Sequence, residues 1–520
     1  MKNKFILVLT LGAIFSLSVI GRVSLLQSPI CRPSEWLSST VLRHLEVWNE
    51  VGLKHSHFAP IMTYPGQGNK GINNNASDHL DSGGNYYYTS YPPLAYYVPL
   101  VICRALHILP SFRVLRAFNL ALHLLSGFFV YLIITVLADC NGRLCSPAIV
   151  GFAFYIFSPE TLWFQSNVYM SDMFAQPLFI GGIYLALKLQ RAKIRRTRQL
   201  FLGAAVVFVF AYSEWLGVMF AVAMAVYHLR ERQYAGSIAE AVTYVVAAVG
   251  AVLLTAWQYS WIAGWGSLYL ASLNKFLFRT GLGHQVGLSL HMWNLLPWLL
   301  VGAWYLSGYL PGILFLIALF VLKQTRVQQM KLAPGRRRMM IYAGVLPVAM
   351  HHLVFFNFTA EHSFSVLKTA PLLAILAGIW ACEIWGREGP RSPKGISLLL
   401  TAMVLYGFCG MWQARRVAGP CIPAYKTVGE AIARSVTPGD LAFVDVGTQS
   451  SQMPYDLPPQ VTLYAHHNIG IWQGEEQALS LARKNGVQHI FVFVLDKDGK
   501  SVVQIRRIDA ETAATAHARS

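Results

Sequence analysis

Long apolar runs separated by short polar stretches dominate the first four-fifths of the chain. They lie at 5–26 (broken by Arg22), 114–137, 147–159, 173–189, 200–212, 216–229, 238–256, 308–322, 340–356, 366–385 and 396–413. Several fall short of the roughly 20 residues that a membrane span requires, so flanking residues must complete them. The pattern predicts about eleven transmembrane helices, the first of them an uncleaved segment that follows a short basic start at residues 1–4. The run 92–110 is apolar too, but it contains Pro92, Pro93, Pro99, Arg104 and His107. If it crossed, the basic clusters at 191–198, Arg230/Arg232 and 323–338 would all face outward, against the tendency of Lys and Arg to stay on the cytoplasmic side. The expectation is therefore that 92–110 lies on the outer surface. Segments 27–113, 160–172, 257–307 and 357–365 are then external, as is the tail beyond Arg415.

From Cys421 onward the pattern changes to that of a soluble α/β segment. An amphipathic helix is predicted at 424–435, a turn at Pro438-Gly439-Asp440 and a strand at 441–446. A second strand at 461–464, a helix at 474–485, a buried-type strand at 490–495 and a last strand at 502–508 follow. Strand and helix in this order favour a small Rossmann-like sheet. It has no Gly-x-Gly-x-x-Gly, so no nucleotide is assigned to it. The predicted organisation is a membrane domain over 1–415, with a large first external loop at 27–113, and an extracytoplasmic α/β domain over 416–520.

Composition fixes the class. Hydrophobic residues are 55% and charged residues 13% of the 520, where a soluble domain carries roughly 25% charged. Mean hydropathy is +0.43. The net charge of +18 would suggest nucleic acid in a soluble chain. Here the basic residues sit in short loops between apolar runs, where they set orientation, and nucleic acid is not expected as a partner. The seven cysteines form no Cys-x-x-Cys and no Cys/His metal spacing, so neither structural zinc nor a disulfide framework is expected.

The candidate chemistry lies on the external segments. Ser171-Asp172-Met173 puts a carboxylate at the mouth of an apolar run, although Ser and Asp also suit a helix N-cap. Glu35 stands just after the first span. Glu46 and Glu50 follow one turn apart on a predicted amphipathic helix whose apolar positions are Val41, Leu42, Leu45, Trp48 and Val51; a solvated face would explain both acids equally well. His55 and His57 flank Ser56 in a polar loop and could be merely exposed. Asp78 and Asp81 lie in a Gly/Asn-rich loop, and the run that holds Tyr88 and Tyr91 is either an interfacial aromatic belt or a wall for sugar or prenyl groups. Lys275 and Arg279 either snorkel to headgroups or hold an anion. Glu361 and His362 occupy a short polar turn, and Lys368 lies just inside the next apolar run. An ionisable residue at membrane depth marks a functional site by default. Asn75-Ala-Ser and Asn357-Phe-Thr match an N-glycosylation acceptor pattern.

An opening helix, an acidic outer loop, a Tyr-x-x-Tyr-Pro-Pro-Leu stretch (88–94), a paired basic turn, then Ser158-Pro159 followed by Ser171-Asp172-Met173 resembles the GT-C superfamily. These are integral-membrane glycosyltransferases such as protein O-mannosyltransferases and the lipid A aminoarabinose transferase. The resemblance covers roughly residues 1–260. It implies an active site built from an acid after the first span and another in the second external loop. Asp172 matches the second. For the first, the family usually shows Asp or an Asp-Glu pair, whereas this chain offers Glu35 or Glu46. It also implies a sugar donor on a polyprenyl phosphate, a lipid, glycan or protein acceptor, and a bacterial inner-membrane location with site and tail extracytoplasmic.

Physical chemistry adds two requirements: a carboxylate to take a proton from the acceptor, and cations or a metal to stabilise the departing phosphate. Lys275, Arg279, His362 and Lys368 are the candidates for the phosphate; His55, His57, Tyr88, Tyr91 and Glu361 are candidate lining residues. Whether the acids hold a magnesium or manganese ion is open. The expected reaction is inverting sugar transfer. A transporter or flippase of a lipid-linked saccharide is the alternative, but no repeated halves or mid-span acids of the kind such proteins carry are visible.

Overall fold

The computed structural model describes residues 2–73, 79–140, 145–190, 196–230, 237–282, 293–324, 332–386, 389, 392–446 and 457–510. Asp78, the Asn75 acceptor pattern, Arg191, Lys193, Arg195, Arg232 and part of the 323–338 cluster lie outside the described residues.

The protein is a helical, polytopic membrane protein. Among the described residues, five helices are long and apolar enough to cross a membrane: Phe112–Leu137, Ile238–Thr280, Leu295–Gln324, Ser363–Trp385 and Pro393–Val417. The pair Pro159–Asn167 and Ser171–Leu189 reaches that length together, bent by 120° at its break. Five shorter apolar helices accompany them: Phe5–Gly21, Leu94–Ala105, Ser146–Phe157, Thr197–Ala211 and Leu216–Arg230. Leu94–Ala105 falls in the run expected to lie on the outer surface. Its 12 residues extend about 18 Å at 1.5 Å per residue, well under the roughly 30 Å hydrocarbon core. The run at 238–256 proves to be part of a longer helix, Ser237–Thr280, which also carries Lys275 and Arg279 and is broken at Ala263 and Gly264. Gly264 takes φ +80° with ψ 167° there, a region that side chains with a Cβ avoid.

Two compact units emerge. The first comprises 1–27, 116–254 and 273–418; the second comprises 28–115, 255–272 and 419–520. In the first, Ser363–Trp385 is central, with 67% of its most apolar window buried, whereas Pro393–Val417 buries only 17% and turns Leu398, Leu400, Val404, Leu405 and Phe408 outward. Without a hydrophobic drive between helices in lipid, close approach depends on small residues. Gly151 and Gly378 serve this purpose: a Cβ on either would fall within 2.5 Å of the Ile134 Cδ1 methyl.

The second unit stitches the tail onto the first external segment. Cys31 and Cys421 form a disulfide, and Cys140 pairs with Cys145 in the first unit, so the expectation of no disulfides was wrong. Cysteines 390 residues apart carry no spacing signal. Beside the Cys31–Cys421 bridge, Ile422 N–H donates to Cys31 C=O (2.7 Å), the Tyr464 hydroxyl accepts from Ile30 N–H (2.9 Å) and Gln460 Nε2 donates to Arg32 C=O (3.1 Å). The helix Trp36–Val51 is buried almost all round, including Arg43 and His44. Burial pushes the His44 imidazole down to about 3, so it sits neutral against the Ile61 carbonyl (2.7 Å).

The unit contains a short antiparallel pair, β1 (His79–Leu80) with β2 (Tyr86–Tyr87), and a four-stranded sheet of β3 (Leu441–Asp445), β4 (Ile469–Ile471), β5 (His489–Leu495) and β6 (Val502–Asp509). The sheet order is β4-β3-β5-β6; β4, β3 and β5 run parallel and β6 antiparallel. Helices Ala424–Ser435 and Glu475–Asn485 fall where the periodicity put them. The strand expected at 461–464 does not exist: Pro459–Ala465 is a helix and the strand comes later, at Ile469–Ile471. Pro459 at the first helical position favours that outcome. Gly429 lets the helix seat, because a Cβ there would lie 2.7 Å from Val461 C=O.

Breaking the bridge that joins the two halves of the second unit, by Cys31→Ser or Cys421→Ser, should lower its stability by about 2 kcal/mol. Limited proteolysis without reductant should then release the tail faster than from the parent, and equal rates would show that the hydrogen bonds alone hold it.

Candidate functional site

The break between Pro159–Asn167 and Ser171–Leu189 is held by donors from two other places in the first unit and by one that it supplies itself. Ser158 precedes a proline and is extended (φ −60°, ψ 131°), as the residue before proline prefers. At the far end of the short helix, carbonyls that have no intrahelical partner need donors. Asn119 Nδ2 supplies them to Phe164 C=O (2.7 Å) and Val168 C=O (2.6 Å). Arg22 donates to Leu162 C=O (3.1 Å) and Asn167 Nδ2 to Leu25 C=O (2.8 Å). The chain runs extended through Val168 and Met170 and re-enters a helix at Ser171.

Asp172 sits in the first turn of that helix but does not cap it. The N-cap residue is Met170, with no side-chain cap bond. The Asp172 carboxylate is instead buried and accepts from Lys368 Nζ through Oδ1. Lys368 belongs to the 3₁₀ segment Ser363–Thr369, so side chains 196 residues apart in sequence meet. The ammonium also lies 3.9 Å from Glu214 Oε1, and that oxygen is 3.7 Å from His351 Nε2. Glu214 Oε2 accepts from the Leu216 backbone N–H (2.5 Å), which fixes the carboxylate at the start of Leu216–Arg230. All four side chains are at most 2% exposed. One cation therefore faces two carboxylates, the second of which lies beside an imidazole. Asp172 Oδ2, Glu214 Oε1, Ser171 Oγ, Ser365 Oγ and His351 Nδ1 are buried without a hydrogen-bond partner. So dense a set of unsatisfied polar atoms is what a site built for a polar ligand leaves behind.

A second shell of bonds orients the 3₁₀ segment. The Tyr305 hydroxyl is 2.8 Å from Thr369 Oγ1 and 3.2 Å from His352 Nε2, and the Tyr309 hydroxyl donates to Val366 C=O (2.7 Å). Glu160 is also buried, against Gly308, where a Cβ would come within 2.5 Å of its Oε2.

Other candidates are dispersed. Arg279 stacks over Phe358 (5.2 Å) and Phe355 (5.9 Å). His362 lies on the same Phe358 ring, centroids 4.4 Å apart, with Nδ1 3.2 Å from Phe358 C=O. Burial pushes the His362 imidazole down to about 4, with Arg279 and Lys368 adding to the effect. Glu361 is exposed and Lys275 half-buried. In the second unit, Glu35 is buried and accepts from Cys31 N–H and Arg32 N–H (both 2.9 Å), a structural cap. Glu46 accepts from the Tyr64 hydroxyl (3.0 Å). His55 and His57 are exposed on either side of buried Ser56. Tyr88 and Tyr91 are buried, ring on ring at 6.4 Å, with Tyr88 also against His44.

Among the described residues no group of three or more His, Cys, Asp or Glu side chains could hold a metal ion. The cation that Asp172 faces is an ammonium, so this donor set does not fit a metal centre.

Glu214 and His351 were not singled out from the sequence. Glu214 lies between the apolar runs 200–212 and 216–229, and His351 inside 340–356, so each carried the intramembrane-charge signal that marked Lys368.

No protein-family model and no curated protein matches the sequence. Solved structures match the fold. The oligosaccharyltransferase of Archaeoglobus fulgidus, in complex with zinc and sulfate, superposes with a TM-score of 0.57 at 13% identity, over 93% of this chain and 68% of that one. ArnT from Cupriavidus metallidurans, bound to undecaprenyl phosphate, gives 0.53 at 13% identity, over 93% and 92%. The arabinofuranosyltransferase AftD from Mycobacteria gives 0.53 at 14% identity; this chain spans 35% of its length. The chain thus shares its overall fold with these proteins.

Replacing Lys368 by Met should leave two buried carboxylates without a counter-charge and cost about 3 to 5 kcal/mol. Thermal unfolding in detergent checks this, and adding Asp172→Asn and Glu214→Gln to the same chain should restore most of the loss.

Proposed function

We propose that the chain is a membrane glycosyltransferase that moves a sugar from a polyprenyl-phosphate donor to an acceptor hydroxyl at the extracytoplasmic face of a bacterial inner membrane. The observation that carries this reading is the state of Asp172: one oxygen is fixed by Lys368 and the other has no protein partner. A buried ion pair is a poor stabiliser compared with apolar side chains of the same volume. Its retention at a helix break points to chemistry rather than to folding. Proteins of the same fold support the donor class, since ArnT is bound to undecaprenyl phosphate and the archaeal enzyme to dolichol-phosphate with an inhibitory peptide.

In this reading Asp172 Oδ2 takes the proton of the acceptor hydroxyl as its oxygen attacks the anomeric carbon. The bond from that carbon to the phosphate oxygen breaks, the electron pair leaves with the polyprenyl phosphate, and the anomeric centre inverts. Lys368 fixes the carboxylate so that Oδ2 is presented, a positioning role in place of the expected phosphate contact. Glu214, itself beside His351, helps to hold Lys368. Negative charge developing on the leaving phosphate needs preorganised cations; Arg279, set on the Phe355 and Phe358 rings, and Lys275 four residues before it are the residues for that task. Glu35, already committed as a cap, is not assigned a proton-transfer role.

The 120° bend at residues 168–170 also suits a transporter with a broken helix, and one measurement separates the two. Purified protein given a labelled glycosyl donor should release free polyprenyl phosphate, and Asp172→Asn should slow that release at least about a hundredfold while inserting normally. Donor carried across vesicles with its glycosyl–phosphate bond intact would instead establish transport.

A further inference from the structure

The second unit holds a polar cluster that the transfer step does not use. Glu46 Oε2 accepts from the Tyr64 hydroxyl (3.0 Å) and lies 3.5 Å from His466 Nδ1. The Tyr64 and His466 rings meet edge to face, centroids 6.1 Å apart. Both contacts converge on one carboxylate oxygen. The Glu46 and His466 side chains are 22% and 67% exposed, so Glu46 Oε1 and His466 Nε2 remain for a ligand. Arg43, buried one turn earlier on the same helix, places a guanidinium whose charge acts on Glu46 and Tyr64. Burial, and then the Glu46 charge, raise the Tyr64 phenol well above its ordinary value, so it remains a donor.

The backbone at His466 is the second observation. It is left-handed, φ 46°, ψ 36°, a conformation that suits glycine and strains other residues. The same unit uses glycine for the equivalent turn after Glu475–Asn485, where Gly486 has φ 65°. The two residues after His466 are pinned inside: His467 is buried, and Asn468 accepts from Tyr64 N–H (3.0 Å) while its own N–H donates to Asn69 Oδ1 (2.5 Å). Left-handed histidines also occur elsewhere in this unit, at His57 (φ 52°) and His107 (φ 54°). This one is locked from within and displays an imidazole beside a carboxylate.

We infer that Glu46 and His466, backed by Tyr64, form a binding site for neighbouring hydroxyls of a carbohydrate acceptor. A carboxylate oxygen accepts from one hydroxyl, and an imidazole nitrogen pairs with the next. A lone amine would satisfy Glu46 and leave the imidazole idle. The inference rests on the glycosyltransferase reading for what the ligand is, and on the geometry of the second unit for where it binds.

The test uses the full-length protein in lipid nanodiscs and a panel of methyl glycosides of neutral hexoses and pentoses. Carbethoxylation of His466, followed by mass spectrometry, should be slowed by at least one glycoside at millimolar concentration. Glu46→Gln should weaken that protection at least fivefold. His466→Gly should abolish saturation transfer to the same glycoside while the melting temperature stays the same or rises, because glycine relaxes the backbone. A fall in melting temperature with unchanged glycoside binding would make the turn structural and overturn the inference. Protection by spermidine but by no glycoside would overturn it as well. If His466 is protected yet the wild-type protein never releases polyprenyl phosphate from a labelled donor, the binding site stands and the transferase reading falls.

Discussion

The contact that most constrains this fold is the ammonium of Lys368 set between Asp172 and Glu214 inside an apolar bundle. No single one of these groups could stay charged alone in such surroundings without a large desolvation penalty. Each is present because the others are. The requirement reaches outward through the fold. Asp172 must arrive on a helix start, Glu214 on a turn between two helices, Lys368 on a tight 3₁₀ segment and His351 on a helix, and all must converge. Uniform straight helices would not supply such ends within the bundle. The break at residues 168–170, the turn at 212–215 and the 3₁₀ segment are the places where the bundle gives up regular helix to place charge.

Breaks of that kind are themselves costly in lipid, where unpaired backbone groups find no water. The protein meets the requirement with side-chain amides and a guanidinium. Asn119 serves two carbonyls and Asn167 and Arg22 one each, all buried. Arg22 also reaches Ser18 Oγ and His123 Nδ1, both at 3.2 Å. A polar residue in the first apolar run therefore has a structural use: it holds the chain just before the segment that presents Asp172.

Much of this was legible in the sequence, and the reasons are specific. Apolar runs of near-spanning length announced the bundle, and a carboxylate at the mouth of one run marked Asp172. Lys368 was visible as a charge inside a run. What could not be read was that the two meet, because nothing local encodes a contact across 196 residues. Glu214 and His351 carried the same kind of signal, a polar residue between or within apolar runs. In the tail, Val461-Thr462-Leu463-Tyr464 has the β-branched and aromatic character of a strand yet lies in the helix Pro459–Ala465. Context overrides such propensity. The helix has Pro459 to start it and a glycine on the facing helix, Gly429, to seat against. The Cys31–Cys421 bridge was missed for the same reason as the ion pair: both are long-range events.

The second unit follows a different rule, since its polar contacts lie among soluble-type elements. The first external segment brings the helix Trp36–Val51 and the Tyr64 loop, and the tail brings the sheet and the turn at 466–468. Neither half has the means to bury all its own polar backbone. Gly68 N–H donates to Pro438 C=O (3.1 Å), and Asn485 Nδ2 donates to Lys70 C=O (2.7 Å). Contacts of this sort leave little slack at the junction, and Gly66 and Gly68 show how little. A Cβ on Gly66 would come within 2.2 Å of Pro438 C=O, and one on Gly68 within 1.8 Å of Asp440 C=O. A joint packed that tightly holds side chains from the two halves at fixed separations, which is the condition a binding surface needs. Glu46 comes from one half and His466 from the other, so their spacing is set by the whole junction rather than by either element.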